Sequence, residues 1–139
     1  MSTAIDASVL IAALIGADPA HQRCHRLLLA HRHSIHAHAL SETFSTLTGG
    51  RLGLRVPPSE AAKILREQVA PRLTAHVLTA AELLAAYEEA AQRGIRGGAI
   101  YDYLHLVAAR QAGAARFYTL NLADFRSFQR PGDPQIVHP

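Results

Sequence analysis

The sequence holds one cysteine, one methionine and no tryptophan in 139 residues, and Lys63 is its only lysine. A lone Cys24 excludes an internal disulfide, and with it the stapled scaffolds of small secreted proteins. It reads as a small buried hydrophobe on a helix. No apolar run approaches the roughly 20 residues that cross a bilayer. No basic segment precedes the first apolar stretch, so no membrane role and a cytoplasmic location are expected. Repeats, linkers and low-complexity tracts are missing, so residues 1–139 are read as one domain. There is no Walker loop, because "GIRGGAIYD" does not match GxxxxGK[ST]. The order of residues suggests neither a Ser-His-Asp nor a Cys-His pairing.

What is present is a globular composition. Apolar residues make up 49% of the chain, enough for a layered core without metal or disulfide staples. The formal charge of +3 rests almost entirely on arginine. Guanidinium forks match phosphate oxygens and stack on bases, although an Ala- and Arg-rich, Lys-poor composition also follows from a GC-rich genome.

Strand and helix patterns alternate along the chain. Thr3 to Asp6 reads as a buried strand and Ser8 to Ile15 as a helix. Asp18 and Pro19 are placed to start a second helix, from Ala20 to about His31. "SIHAHA" alternates like a strand, and "LSETFSTLTGG" reads as a helix with Leu40, Phe44 and Leu47 as its core stripe. A helix capped by Ser59 follows, then the strand "TAHVL". Thr79 and Glu82 form a capping box for the next helix. Gly97 and Gly98 precede a nearly all-apolar helix that ends at Gly113. "ARFYTL" is a strand, "NLADFRSF" a short helix capped by Asn121, and "PQIVHP" a last strand. Such alternation predicts a three-layer α/β/α sandwich around a central, mostly parallel sheet. Ligands of such sheets bind beyond the carboxyl ends of the strands, where the strand order switches.

Four acids fall where that crevice should be. Asp6 ends the first strand, where an N-cap is the ordinary role of an Asp. Glu42 lies off the apolar stripe of its helix, where a solvated glutamate is the plain alternative. Asp102 stands in the first turn of the apolar helix and should be buried. An ionised Asp is almost never buried without a partner, an arginine being the structural option, and the helix dipole there favours its charged form. Asp124 follows the fourth strand, with Thr119 and Asn121 as neutral oxygen donors beside it. Crowded carboxylates raise one another's pKa values. A hard dication resolves that conflict, and oxygen-only ligands favour Mg²⁺ or Mn²⁺ over Zn²⁺. The chemistry open to such a site is phosphodiester hydrolysis.

The stretches "AIDASVLIAAL", "SETFSTLT", "GGAIYDYLHLVAARQAGA" and "TLNLADF", in this order and spacing, resemble the PIN domain, and most closely the VapC toxins of toxin–antitoxin pairs. The resemblance covers essentially the whole chain. It implies an Mg²⁺- or Mn²⁺-dependent endoribonuclease whose acids are Asp6, Glu42, Asp102 and Asp124, with Asp6, Asp102 and Asp124 as metal ligands. Asn121 is an alternative to Asp124, whose region varies in the family. Ser8 and Thr119 match the family's supporting hydroxyl positions. An RNA substrate, a VapB-type antitoxin and a homodimer are implied as partners.

The remaining polar residues carry less. The nine histidines include His31 and His33, and His36 with His38 on one strand face, but no third ligand at zinc spacing. Most are expected to be exposed, with His105 close to Asp102. Arg51 and Arg55, and Arg93 and Arg96, flank loops that can reach the crevice mouth and bind phosphates, or are simply solvated. The rival functional reading is a catalytically silent PIN-like module that binds RNA or protein. Against it stands the intact acidic quartet. A phospho-acceptor domain would need a lysine opposite a lone Asp, and Lys63 lies on a distant helix.

Overall fold

The computed structural model describes residues 2–139. Five strands, β1 (Thr3–Ile5), β2 (His33–His36), β3 (Leu73–His76), β4 (Arg116–Tyr118) and β5 (Gln135–Val137), form one sheet in the order β3-β2-β1-β4-β5. Every neighbouring pair is parallel. The chain builds outward from β1 to β3, then returns to the other side of β1 for β4 and β5. The switch in strand order therefore lies between β1 and β4, which are in register at Ala4–Phe117 and Ile5–Tyr118.

Helices cover both faces, as a parallel sheet requires. Beneath one face lie α1 (Ala7–Leu14), α2 (His21–Ala30), α3 (His38–Gly49) and α4 (Pro58–Ile64). Val9, Leu10, Cys24, Leu28 and Ala39 pack there against Ile5 and Ile35. Beneath the other lie α5 (Ala80–Gln92), α6 (Ala99–Gln111) and α7 (Leu122–Phe128), whose Ala86, Ala90, Leu106, Phe125 and Phe128 pack on Phe117 and Ile136. Cys24 is fully buried and its thiol is pushed up to about 11 by that burial, so it is the inert packing residue the sequence suggests. The Thr79–Glu82 capping box forms as read. Among the described residues, no helix is long and apolar enough to cross a membrane.

Several local expectations are corrected. The N-cap of α4 is Pro57 with Pro58 at the first position, and Ser59 lies inside the first turn. Proline is preset for that position and its missing N–H is not needed there. Asp18 does not cap α2; its carboxylate instead accepts from the Ala20 N–H at 2.8 Å in a turn before the helix. β2 ends at His36, so His38 belongs to α3 rather than to a shared strand face.

The most consequential correction concerns α3. Its buried residues are Ala39, Thr43, Thr46 and Leu47, whereas Leu40 and Phe44 are only partly buried. Thr43 can be buried because its hydroxyl donates to the Ala39 carbonyl at 2.7 Å, and Thr46 because it donates to the Glu42 carbonyl at 3.0 Å. Back-bonding to the preceding turn satisfies the hydroxyl inside the helix itself. Glu42 stands one turn from both Ala39 and Thr46, hence beside the buried face and not opposite it.

Candidate active site

Asp6 directly follows β1 and does two jobs. It is the N-cap of α1, accepting from the Val9 N–H at 3.2 Å. The same oxygen accepts from the Ser8 hydroxyl at 2.6 Å, and the other from the Thr119 hydroxyl at 2.7 Å. Both hydroxyls are themselves held by the β4 exit. The Leu120 N–H donates to Ser8 Oγ at 3.1 Å and the Asn121 N–H to Thr119 Oγ1 at 2.9 Å. Adjacent parallel strands in register thus bring the Thr119 hydroxyl to the Asp6 carboxylate across 113 residues, beside the local hydroxyl of Ser8. Asp6 is only 4% exposed. Burial raises its pKa, and the bonds from Ser8 and Thr119 oppose that rise.

Glu42 reaches the same edge from α3. His105 on α6, which is 2% exposed, donates from Nε2 to Glu42 Oε1 at 2.8 Å, and His38 Nε2 lies 3.7 Å from the same oxygen. Burial alone would raise the Glu42 pKa, but the His105 hydrogen bond and the charges of His105, His38 and His36 bring it below the ordinary value. His36 packs edge-on against His105, with ring centroids 5.3 Å apart, and is itself lowered to about 4, chiefly by burial.

Asp102 is half-buried in the first turn of α6, not sealed in the middle layer. Its pKa is raised, first by desolvation and then by the charges of Asp6, Glu42 and Asp124, with His105 opposing. All three other acids therefore act on Asp102 electrostatically. Asp124, exposed on α7, accepts from the Asn121 side chain at 2.8 Å. Asn121 occupies the N-cap position of α7 without bonding its backbone; its amide is turned to Asp124 instead.

Among the described residues, no three acidic, imidazole or thiol groups converge into a ready-made chelate. The donor set nevertheless fits a hard dication. It is built of oxygens, its charges repel one another, and an ion such as Mg²⁺ keeps several waters while using one or two carboxylates directly. The histidines beside Glu42 approach one of its oxygens as hydrogen-bond and charge partners, and among the described residues they form no zinc-type ligand group.

Beside Glu42 opens a cleft of about 370 Å³ lined by His38, Ser41, Ser45, Thr46, Arg51 and Ile11. Arg51 thus stands at the site. Arg55 is exposed but folds back on the turn at Gly50, whose φ of 79° demands glycine. A Cβ there would lie 2.6 Å from Arg55 Nε. Arg96 is exposed. Arg93 is withdrawn from phosphate binding. Its guanidinium donates to Asp133 at 3.1 Å and to the Phe128 carbonyl at 2.7 Å, and it pairs with Glu89 at 3.1 Å. Arg110 joins this network through Glu89 and Asp133, as does the Tyr103 hydroxyl through Glu89. The network ties α5 and α6 to the loop before β5.

Several histidines expected at the surface are inside. His33 is buried at the opposite edge of the sheet, where Nε2 donates to the Leu27 carbonyl at 2.8 Å and Nδ1 accepts from the Thr3 hydroxyl at 2.6 Å. His36 and His105 are buried beside Glu42. The sequence places His105 near Asp102 and weighs the other histidines as zinc ligands, and so misses the imidazole wall around that glutamate. The available signal was the pair His36 and His38, at the end of β2 and the start of α3, where Glu42 emerges.

The fold is an α/β/α domain with an all-parallel sheet, Asp6 at its switch point, and Asp6, Glu42 and Asp124 near enough to Asp102 to act on it electrostatically. Residues 3–130 match the PIN domain family. Ribonuclease VapC27 of Mycobacterium tuberculosis is 35% identical over 111 residues, covering 78% of this chain and 77% of that protein. In structure, the chain is similar to M. tuberculosis VapC20, a sarcin-ricin loop cleaving toxin, with a TM-score of 0.71 at 21% identity, covering 94% of this chain and all of the other. It is also similar to VapBC2 of Rickettsia felis bound to a promoter DNA fragment, with a TM-score of 0.68 at 16% identity, covering 100% of this chain and 99% of that one. The chain belongs to the PIN-domain family, among its VapC-type members.

Proposed function

We propose that this protein is an endoribonuclease, the toxin of a VapBC-type toxin–antitoxin pair, using a divalent ion, Mg²⁺ or Mn²⁺. The observation that carries the reading is the electrostatic one. The carboxyl of Asp102 is raised in part by Asp6, Glu42 and Asp124 together, a cluster that is costly to maintain unless a cation answers it. Relationship to a ribonuclease at 35% identity supports the activity, and likeness to an antitoxin-bound assembly supports a VapB-type partner. Self-association as a homodimer belongs to the same proposal.

In this reading Asp6, Asp102 and Asp124 hold the ion. When bound, it supplies Lewis acidity at the scissile phosphate and makes the attacking water more acidic. The chain's own residues do the rest. Ser8 and Thr119 fix both oxygens of Asp6 and oppose the rise in pKa that burial imposes. His105 fixes the Glu42 carboxylate in its charged form, ready to orient water or accept a proton. The N-terminal turn of α6 favours negative charge at Asp102. Arg51, in the cleft beside Glu42, binds a substrate phosphate, with Arg55 and Arg96 as exposed secondary contacts.

The test is cleavage of a mixed RNA pool with Mg²⁺ or with EDTA, comparing wild type with Asp102→Asn purified identically. Metal-dependent cleavage that is lost in the variant is the expected result. Inactivity of both proteins on diverse RNA returns the chain to the silent-module reading. Equal activity of both removes Asp102 from the reaction.

A further inference from the structure

Tyr101 and His38 form an aromatic pair at the lip of the carboxylate cluster that the proposed chemistry does not use. Their ring centroids lie 5.8 Å apart with planes 19° from parallel. Tyr101 is 57% exposed, and the His38 side chain is 47% exposed. Tyr103, two residues along the same helix, is fully buried and anchored to Glu89, so packing of α6 does not require an aromatic at 101. The pair bridges the starts of two helices that each deliver an acid. Tyr101 immediately precedes Asp102, and His38 lies 3.7 Å from Glu42 and lines the cleft that also holds Arg51.

An exposed ring stacked on one neighbour keeps a face open to solvent, and aromatic faces at nucleic-acid sites stack unpaired bases. A phosphate drawn between the carboxylate-held ion and Arg51 would bring a flanking nucleotide to this ring. In a duplex that base is already stacked between its neighbours and has no face to offer.

We propose that Tyr101, backed by His38, is a stacking platform for an unpaired nucleobase next to the scissile phosphate. The inference rests on the ribonuclease reading and adds to it a residue that positions the substrate. Because stacking tolerates any base, the platform selects strand conformation and leaves base identity to other contacts.

The experiment uses the full chain and a short single-stranded oligoribonucleotide copied from a site cut in the RNA pool, with a fluorescent purine analogue placed at one position after another. Asp6→Asn is present in every protein used for binding, so that the probe survives. Stacking quenches the analogue at the position that meets Tyr101. Tyr101→Ala should abolish that quenching and weaken binding about ten-fold, whereas Tyr101→Phe should bind within about two-fold of its parent. An abasic site at the quenched position should weaken the tyrosine protein and leave Tyr101→Ala unchanged. The same strand annealed to its complement should bind Tyr101→Ala and its parent alike. If Ala and Phe variants bind and quench equally while the protein with Asp6 intact still cuts the strand, the platform is refuted and the ribonuclease stands. If the intact protein cuts no RNA at all, both fall together.

Discussion

Thr119→Val tests whether the hydroxyl groups at the β4 exit keep Asp6 charged inside the fold. Valine preserves the shape of a side chain that is fully buried and removes two hydrogen bonds. One is the 2.7 Å bond to Asp6 Oδ2, the other the 2.9 Å bond from the Asn121 N–H. A bond to a charged group contributes about 1.5–3 kcal/mol, and the half-buried Asn121 amide adds about 1 kcal/mol, so about 2.5–4 kcal/mol should be lost in all. At this chain length that is a fall in Tm of roughly 8–16 °C. The loss should depend on pH. Burial already raises the folded pKa of Asp6 above the ordinary carboxylate value, so the folded state binds its proton more readily than the unfolded chain. The penalty of the buried charge is therefore fully present above the folded pKa and relieved as pH falls through it. Thr119→Val deepens that penalty, so its gap to wild type is widest at neutral pH and narrows on acidification. The assay is denaturant unfolding in metal-free buffer at neutral and mildly acidic pH, run as a cycle with Asp6→Asn. Thr119→Ser, which keeps the hydroxyl, should lose little. A gap that is the same at every pH, or the same with Asn at position 6, would show that Thr119 acts through packing alone.

Three further outcomes follow from the same contacts. Asp6→Asn should be at least as stable as wild type at neutral pH without divalent ions, and lose cleavage; a less stable variant there would mean that the buried charge is not a burden. Asp133→Asn leaves Arg93 and Arg110 facing a neutral group where the carboxylate was 1% exposed, and should cost on the order of 3 kcal/mol in chemical unfolding; an unchanged midpoint would remove the network from the stability of the fold. Arg51→Ala should weaken RNA binding and lower its salt slope by about one, whereas Arg93→Ala should lower stability and leave the slope alone. The reverse pattern would exchange the roles assigned to the two arginines.

How much of this was legible beforehand depends on the range of the interaction. The strand–helix alternation, a mostly parallel sheet (in the structure wholly parallel) and the sequence positions of the four acids follow from local periodicity and from the placement of ligands at switch points. The Thr79–Glu82 cap closes within one turn, so sequence resolves it. The burial of α3 was misread because periodicity counts threonine as polar, whereas Thr43 and Thr46 satisfy their hydroxyls on the preceding turn and can face the core. That shift of the buried stripe is what turns Glu42 toward His105.

By itself, then, the sequence determined the architecture and the positions of the four acids along the chain, because each is written in local pattern, and its four motifs carried the resemblance to the family. Only the tertiary structure decided the partners. It set Thr119 against Asp6 across β1 and β4 and His105 against Glu42 across α6 and α3. It also drew Arg93 into a network with Asp133 and left Tyr101 stacked on His38 at the lip of the site. Those pairings join residues tens of positions apart, and nothing in local composition distinguishes an arginine that will meet a phosphate from one that will meet a buried carboxylate. The register of two parallel strands and the packing of helices on opposite faces make that choice.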